Sequence, residues 1–102
     1  MTDWKNAPLH QTLIEMLPSC VTTVTGAGMP TVTALNVASV STKLEPPRSR
    51  EGIYKWLRAG KLTPDAARDI HKLANSPDNV ALLAAADRAP PKQEDFTRFI
   101  FA

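Results

Sequence analysis

The sequence predicts an all-α fold, with one compact five-helix domain at residues 1–91 and a short aromatic C-terminal arm at residues 92–102 that is either helical or extended. Three observations lead to this prediction. The chain has 102 residues, a length that suits a single hydrophobic core. Its nine prolines divide it into short segments, and proline is tolerated at the start of a helix but not in its interior. Within several of these segments, apolar residues recur at the three- and four-residue spacing of an amphipathic helix.

The first helix is predicted to begin at Pro8 and to end before Pro18. Apolar residues follow Pro8 at helical spacing; they are Leu9, Leu13, Met16 and Leu17. Residues 21–25 are rich in β-branched side chains and are interpreted either as a strand or as an irregular or short helical connection. Gly26-Ala27-Gly28 is interpreted as a turn, because a phosphate-binding loop would continue with Lys and Ser or Thr.

The second and third helices are predicted over residues 31–44 and 49–60. The former lies between Pro30 and Pro46-Pro47, and its Val and Thr residues mean that tertiary packing must hold it. The latter has the clearest signals, because Ser49 is a good N-cap and Gly60 supplies a left-handed C-terminal cap. Its apolar face is formed by Ile53, Trp56 and Leu57.

The fourth and fifth helices are predicted from a repeated starting pattern, Thr63-Pro64-Asp65 and Ser76-Pro77-Asp78. In each, a capping hydroxyl precedes a proline at the first helical position and an acid near the positive helix end. Pro90-Pro91 ends the fifth helix.

The arm contains Phe96, Phe99 and Phe101, three of the six aromatic residues in the chain. Disordered termini are depleted of such residues, so the rings are expected to pack. Two alternatives remain open, closure of the core within one chain and a dimer contact with a second subunit.

The charge is concentrated in one segment. The whole chain has a net charge of +2, but residues 43–61 carry +4 and the remainder carries −2. The basic side chains of this segment are Lys43, Arg48, Arg50, Lys55, Arg58 and Lys61, and the acidic ones are Glu45 and Glu51. A localised positive field is what an anionic partner would experience.

Several classes of protein are excluded by what the sequence lacks. A single cysteine, Cys20, forms no internal disulfide and favours a reducing compartment, so a cytoplasmic location is expected. No apolar run approaches the roughly 20 residues of a membrane span, and the N-terminus has no secretory pattern. His10 and His71 are far apart, and no nucleophile and base form a recognisable set. We therefore expect no enzyme activity, cofactor, metal or small-molecule ligand.

A short helix, a connection and a capped helix with an apolar inner face and a basic outer face are the parts of a helix-turn-helix unit. One helix fits the major groove of B-DNA, where its outward side chains reach base edges while flanking Lys and Arg hold phosphates. The five-helix domain is accordingly interpreted as a DNA-binding domain whose recognition helix is formed by residues 49–60.

The run from Ser49 to Pro64, Ser-Arg-Glu-Gly-Ile-Tyr-Lys-Trp-Leu-Arg-Ala-Gly-Lys-Leu-Thr-Pro, resembles the recognition helix and following turn of Cro- and phage-repressor-like helix-turn-helix regulators, including the Cro-like antitoxins. The resemblance extends over about residues 31–75. It implies a phage or prokaryotic transcription regulator, a repressor, that binds double-stranded DNA as a homodimer.

The resemblance also implies roles for individual residues. Base contacts are expected from Arg50, Glu51 and Lys55, while Ile53 and Trp56 would belong to the core. The residues expected at the DNA backbone are Ser41, Thr42, Lys43, Arg48, Ser49, Tyr54, Arg58 and Lys61.

The sequence departs from the family pattern in one spacing. The last apolar residue of the preceding helix usually lies seven positions before the buried β-branched one, whereas Leu44 and Ile53 are nine apart. Either the turn is longer or the helix register differs. The alternative function is a small phage or bacterial protein-interaction module, an inhibitor or adaptor, whose basic face docks on an acidic protein surface.

Overall fold

A computed structural model describes residue 4 and residues 7–24, 27–28 and 32–100 of the chain. The elements are α1 (Pro8–Met16), a 3₁₀ turn (Pro18–Cys20), β1 (Val21–Val24), β2 (Val32–Leu35), α2 (Val37–Lys43), α3 (Arg50–Ala59), α4 (Pro64–Ala74), α5 (Pro77–Ala85) and α6 (Glu94–Thr97). The fold is mostly helical, but the all-α prediction and the count of five helices are wrong, because these ranges contain six α-helices and a two-stranded sheet.

The sheet is an antiparallel pair in which Val21 faces Leu35 and Val24 faces Val32. It corrects the prediction of one helix over residues 31–44, since β2 occupies its first half and α2 begins only at Val37; Thr31 and Gly26 lie outside the described residues. The β-branched residues on both sides of the turn at Ala27 and Gly28 pair with each other, and strand pairing outweighs their weak helix propensity.

The sheet is attached to the helices at its end. The Leu35 backbone N–H donates to Nε2 of the buried His10 on α1 over 3.2 Å, and the Asn36 N–H donates to the Cys20 carbonyl over 2.6 Å. Asn36 also caps α2, because its Oδ1 accepts from the Ser39 N–H over 3.1 Å. The hairpin therefore sets where α2 begins.

The predicted helix starts are confirmed for α1, α3, α4 and α5. Ser49 Oγ accepts from the Gly52 N–H over 3.1 Å, and Thr63 Oγ1 accepts from the Ala66 N–H over 3.1 Å. Gly60 ends α3 with a φ of +68°, a value that glycine adopts without strain. Ser76 precedes α5 but does not cap it, since its hydroxyl donates to the Leu73 carbonyl over 2.7 Å.

The arm is helical over α6 and packs on its own chain. Phe96 is completely buried and Phe99 is buried, and the Leu62 N–H donates to the Phe99 carbonyl over 3.2 Å. This is the core-closure alternative. A dimer contact through these two rings would require the arm to leave the core, and Phe101 lies outside the described residues.

The core is continuous across all the long helices except α5, and α6 closes it. Its members include Leu9, Leu13, Val40, Leu44, Ile53, Leu57, Ala66, Ile70, Ala74, Phe96 and Phe99. No helix within the described ranges is long and apolar enough to cross a membrane.

Asn79 joins α5 to the rest of the fold. Its side chain is fully buried, and its Nδ2 donates to the Met16 and Ala74 carbonyls over 2.9 and 2.8 Å. Its Oδ1 accepts from the Ser19 hydroxyl over 2.8 Å and from the Ser19 N–H over 3.2 Å. One side chain therefore satisfies polar groups at the ends of α1 and α4 and in the 3₁₀ turn.

Asn79→Ala should lower the free energy of unfolding by about 3 kcal/mol, because it leaves several buried polar groups without partners at about 1–3 kcal/mol each. Urea denaturation measures this change. The matched control is Asn75→Ala, which removes an exposed amide and should cost less than half as much. Equal losses from the two variants would contradict the role given to Asn79.

Phe96→Ala should lower the free energy of unfolding by about 3–5 kcal/mol, the usual cost of removing a large aromatic side chain from a core. The measurement is urea denaturation at a protein concentration where the chain is monomeric. If the arm acted only as a contact between subunits, the monomer would lose no stability.

Candidate nucleic-acid interface

The inner face of α3 is fixed by the core. Ile53 and Leu57 are 0% and 1% exposed, and they lie one helical turn apart on the same side of α3. Val40 and Leu44, at the end of α2, are buried in the same cluster. Because these residues hold α3 against α2, the opposite side of α3 faces outward.

The connection between α2 and α3 comprises residues 44–49. It is closed by two hydrogen bonds, from the Arg48 N–H to the Ser41 carbonyl over 3.2 Å and from the Ser41 hydroxyl to the Arg48 carbonyl. The nine-residue interval from Leu44 to Ile53 is thus accommodated by a longer turn.

The side chain of Arg48 ties this connection to α4. Its Nη2 lies 2.7 Å from Oδ2 of Asp69, a carboxylate on α4 that is only 3% exposed, and its own side chain is 28% exposed. The guanidinium also lies 5.4 Å from the centre of the Trp56 ring on α3. Arg48 therefore bridges the connection, α3 and α4.

The outward face of α3 carries Glu51, Lys55 and Arg58, spaced at i, i+4 and i+7. Arg58 Nη2 lies 2.8 Å from Glu51 Oε1, with the two side chains 53% and 68% exposed. An ion pair this exposed contributes little stability, so either side chain can readily leave it to contact another partner. Ala59 is also exposed beside them.

Two cations of α3 itself have no partner within the described part of the chain. Arg50, at the first position of α3, and Lys55, in its middle, are exposed, and neither forms an ion pair or hydrogen bond there. Arg50 and Lys55 are the donors that this arrangement leaves available to an anionic ligand.

The other predicted contact residues divide into two groups. Lys61 and Thr42 are exposed, and Lys43 is exposed while its Nζ donates to the Ser19 carbonyl over 3.2 Å. Ser41 and Arg48 hold the connection, Ser49 caps α3, and the ring of the half-buried Tyr54 lies 6.1 Å from that of Trp4.

Asp69 is the residue that sequence reasoning missed. It lies on the same helical stripe as Ala66, Ile70 and Leu73, and these are buried. An acidic residue on an apolar stripe indicates a buried partner of opposite charge, and this signal was available in the sequence. The identity of the partner was not, because Arg48 lies 21 residues earlier.

The interface offers cationic and hydrogen-bonding groups rather than a metal centre. Among the described residues, no group of three or more His, Cys, Asp or Glu side chains is arranged to hold a metal ion. Arg50, Lys55 and Arg58 can donate to phosphate oxygens or to guanine, and Glu51 can accept from cytosine.

No protein-family model, curated protein or solved structure matches this chain significantly.

Asp69→Asn should lower the free energy of unfolding by about 3 kcal/mol, the lower end of the cost of breaking a buried ion pair, because Arg48 is partly solvated. Urea denaturation measures it. The control is Asp65→Asn, whose carboxylate is 73% exposed and lies 3.5 Å from Arg68; it should cost under about 1 kcal/mol. A loss from Asp69→Asn no larger than that from the control would show that the pair does not stabilise the fold.

Proposed function

We propose that this protein binds double-stranded DNA with sequence specificity, presents α3 to the major groove and acts as a homodimeric transcription regulator, a repressor. The observation that supports this most is the pair of exposed cations, Arg50 and Lys55, which have no partner among the described residues and lie on a helix whose inner face is held in the core.

The dimensions of α3 suit the groove. Its ten residues span about 15 Å, and the major groove, about 12 Å wide, admits one α-helix. Glu51, Lys55 and Arg58 form a single row along the exposed side, so all three can approach base edges or the groove wall together.

The charge of the segment suits a phosphate backbone. Residues 43–61 carry a net charge of +4, whereas the rest of the chain carries −2. Each phosphate neutralised by Lys or Arg releases counterions, which favours binding at low salt. A basic segment on a slightly acidic scaffold would also orient the protein with α3 toward DNA.

We assign the roles as follows. Arg50, Glu51 and Lys55 read bases. Arg58, Lys61, Lys43 and Thr42 contact phosphates at the groove edges. The remaining members of the predicted backbone set position α3: Ser41 and Arg48 close the connection, Ser49 caps the helix, and the ring of Tyr54 packs near that of Trp4.

We infer a homodimer from the small number of base pairs that one helix can contact. A single recognition helix contacts few base pairs, and two copies related by a two-fold axis read half-sites about 34 Å apart. A dimer bound at such a site would exclude other proteins from it, which is how a repressor acts.

Lys55→Ala should weaken binding to the preferred duplex relative to a scrambled duplex by about 1–3 kcal/mol, since a base contact discriminates between sequences. The preferred duplex is first selected from a random-sequence library with the full chain, and affinities are then measured by fluorescence anisotropy at two salt concentrations. Lys92→Ala, which removes an exposed lysine outside the interface, is the matched control and should leave discrimination unchanged.

Other outcomes have clear meanings. A uniform loss on both duplexes from Lys55→Ala would make Lys55 a phosphate contact. No enrichment from the library, together with no binding at low salt, would overturn the proposal and favour docking of the basic face on an acidic protein.

A further inference from the structure

The outer face of α5 is apolar after its first turn, where Asp78 is exposed. Leu83 and Asn79 are buried toward the 3₁₀ turn and α4, whereas the opposite side presents Ala81, Leu82 and Ala85 to solvent. Leu82 is 46% exposed, and it is the exposed large hydrophobic side chain of the described residues. No charged residue occurs between Asp78 and Asp87. A helix covered on one side only normally has a polar outer face, so this helix has the pattern of one covered on both sides.

A groove lies between α5, α1, the 3₁₀ turn and β2, and Leu82 and Thr33 are among the residues that line it. Its apolar walls are formed by Ile14, Pro18, Leu83 and Ala86. Two exposed side chains of opposite charge, Glu15 and Arg88, also line it. Arg88 Nη1 donates to the Glu15 backbone carbonyl over 3.3 Å. The Glu15 side chain itself is exposed at the surface.

We propose that a second copy of this chain covers this surface, and that α5 and the adjacent groove form the two-fold dimer interface. Leu82 protrudes at the rim of the groove that it helps to line, and such a surface is self-complementary, because a two-fold rotation can bring each leucine to the other copy's groove. The same rotation lets Glu15 of each copy meet Arg88 of the other. Small residues at Ala81 and Ala85 allow two α5 helices to approach closely.

The choice of a second copy as the occupant rests on the proposed function, since a DNA-reading helix gains its specificity from a two-fold partner. The interface shares no residue with α2, α3 or their connection, so both recognition helices stay exposed in the dimer. This interface replaces the dimer contact predicted through Phe96 and Phe99, because those two rings are buried in their own chain.

The test is sedimentation velocity of the full chain without DNA over a concentration series. We expect a species of twice the 11.1 kDa chain mass. Leu82→Asp should raise the dimer dissociation constant at least about tenfold, because each copy loses the burial of one leucine side chain and gains a charge at the interface. Ala59→Asp adds the same charge on the outer face of α3 and should leave the dissociation constant unchanged.

Charge exchange provides a second test that does not alter the apolar face. Glu15→Arg and Arg88→Glu should each raise the dissociation constant, and the double variant should restore it. The proposal is overturned if the chain is monomeric at every concentration up to the millimolar range, or if the dimer is indifferent to Leu82→Asp and to the charge exchange, with folding checked by circular dichroism.

These experiments test the dimer interface separately from DNA binding, because the mass of the protein in solution is measured without DNA. A dimer that obeys both tests but binds no duplex keeps the interface and removes the DNA-binding function. A chain that binds its selected duplex yet stays monomeric keeps the DNA-binding part of the proposed function and removes both the interface and the homodimer.

Discussion

The ion pair between Arg48 and Asp69 is the interaction that fastens α3 and its preceding connection to α4. The connection between α2 and α3 is six residues long, and two hydrogen bonds between Ser41 and Arg48 close it. Burial of a carboxylate is costly unless a positive charge accompanies it. The 2.7 Å contact from Arg48 to Asp69 meets that requirement and at the same time fastens the connection to α4.

The two sides of α3 consequently have separate tasks. The inner side, through Ile53 and Leu57, belongs to the core, and Trp56 lies under the guanidinium of Arg48. The outer side keeps Lys55 exposed, and Arg50 is exposed at the first position of the helix. A rigidly held helix loses little conformational freedom when it meets a ligand, so its exposed cations are preorganised for binding. Asn79 has a comparable role in the rest of the fold, because its single buried amide forms hydrogen bonds to the C-terminal ends of α1 and α4.

Much of the helical fold could be predicted because its signals are local. The caps at Ser49 and Thr63 and the glycine at Gly60 act within four residues of the helix ends they define, so the sequence locates α3 and α4 well. The hairpin could not be predicted in the same way. Val21 pairs with Leu35 across a turn, and a strand's stability comes from a partner whose position local propensity does not reveal. The candidate site divides similarly: its exposed basic residues follow from helical periodicity, whereas the Asp69 partner of Arg48 does not.

By itself, the sequence determined where four helices begin, which side of α3 is apolar, and that positive charge is concentrated at residues 43–61. Each of these depends on residues close together in the chain. Only the tertiary structure decided that the aromatic arm closes its own core, that Arg48 is paired with a buried carboxylate, and that the outer face of α5 is left exposed. These three features depend on which distant segments meet, and packing of the whole chain determines that.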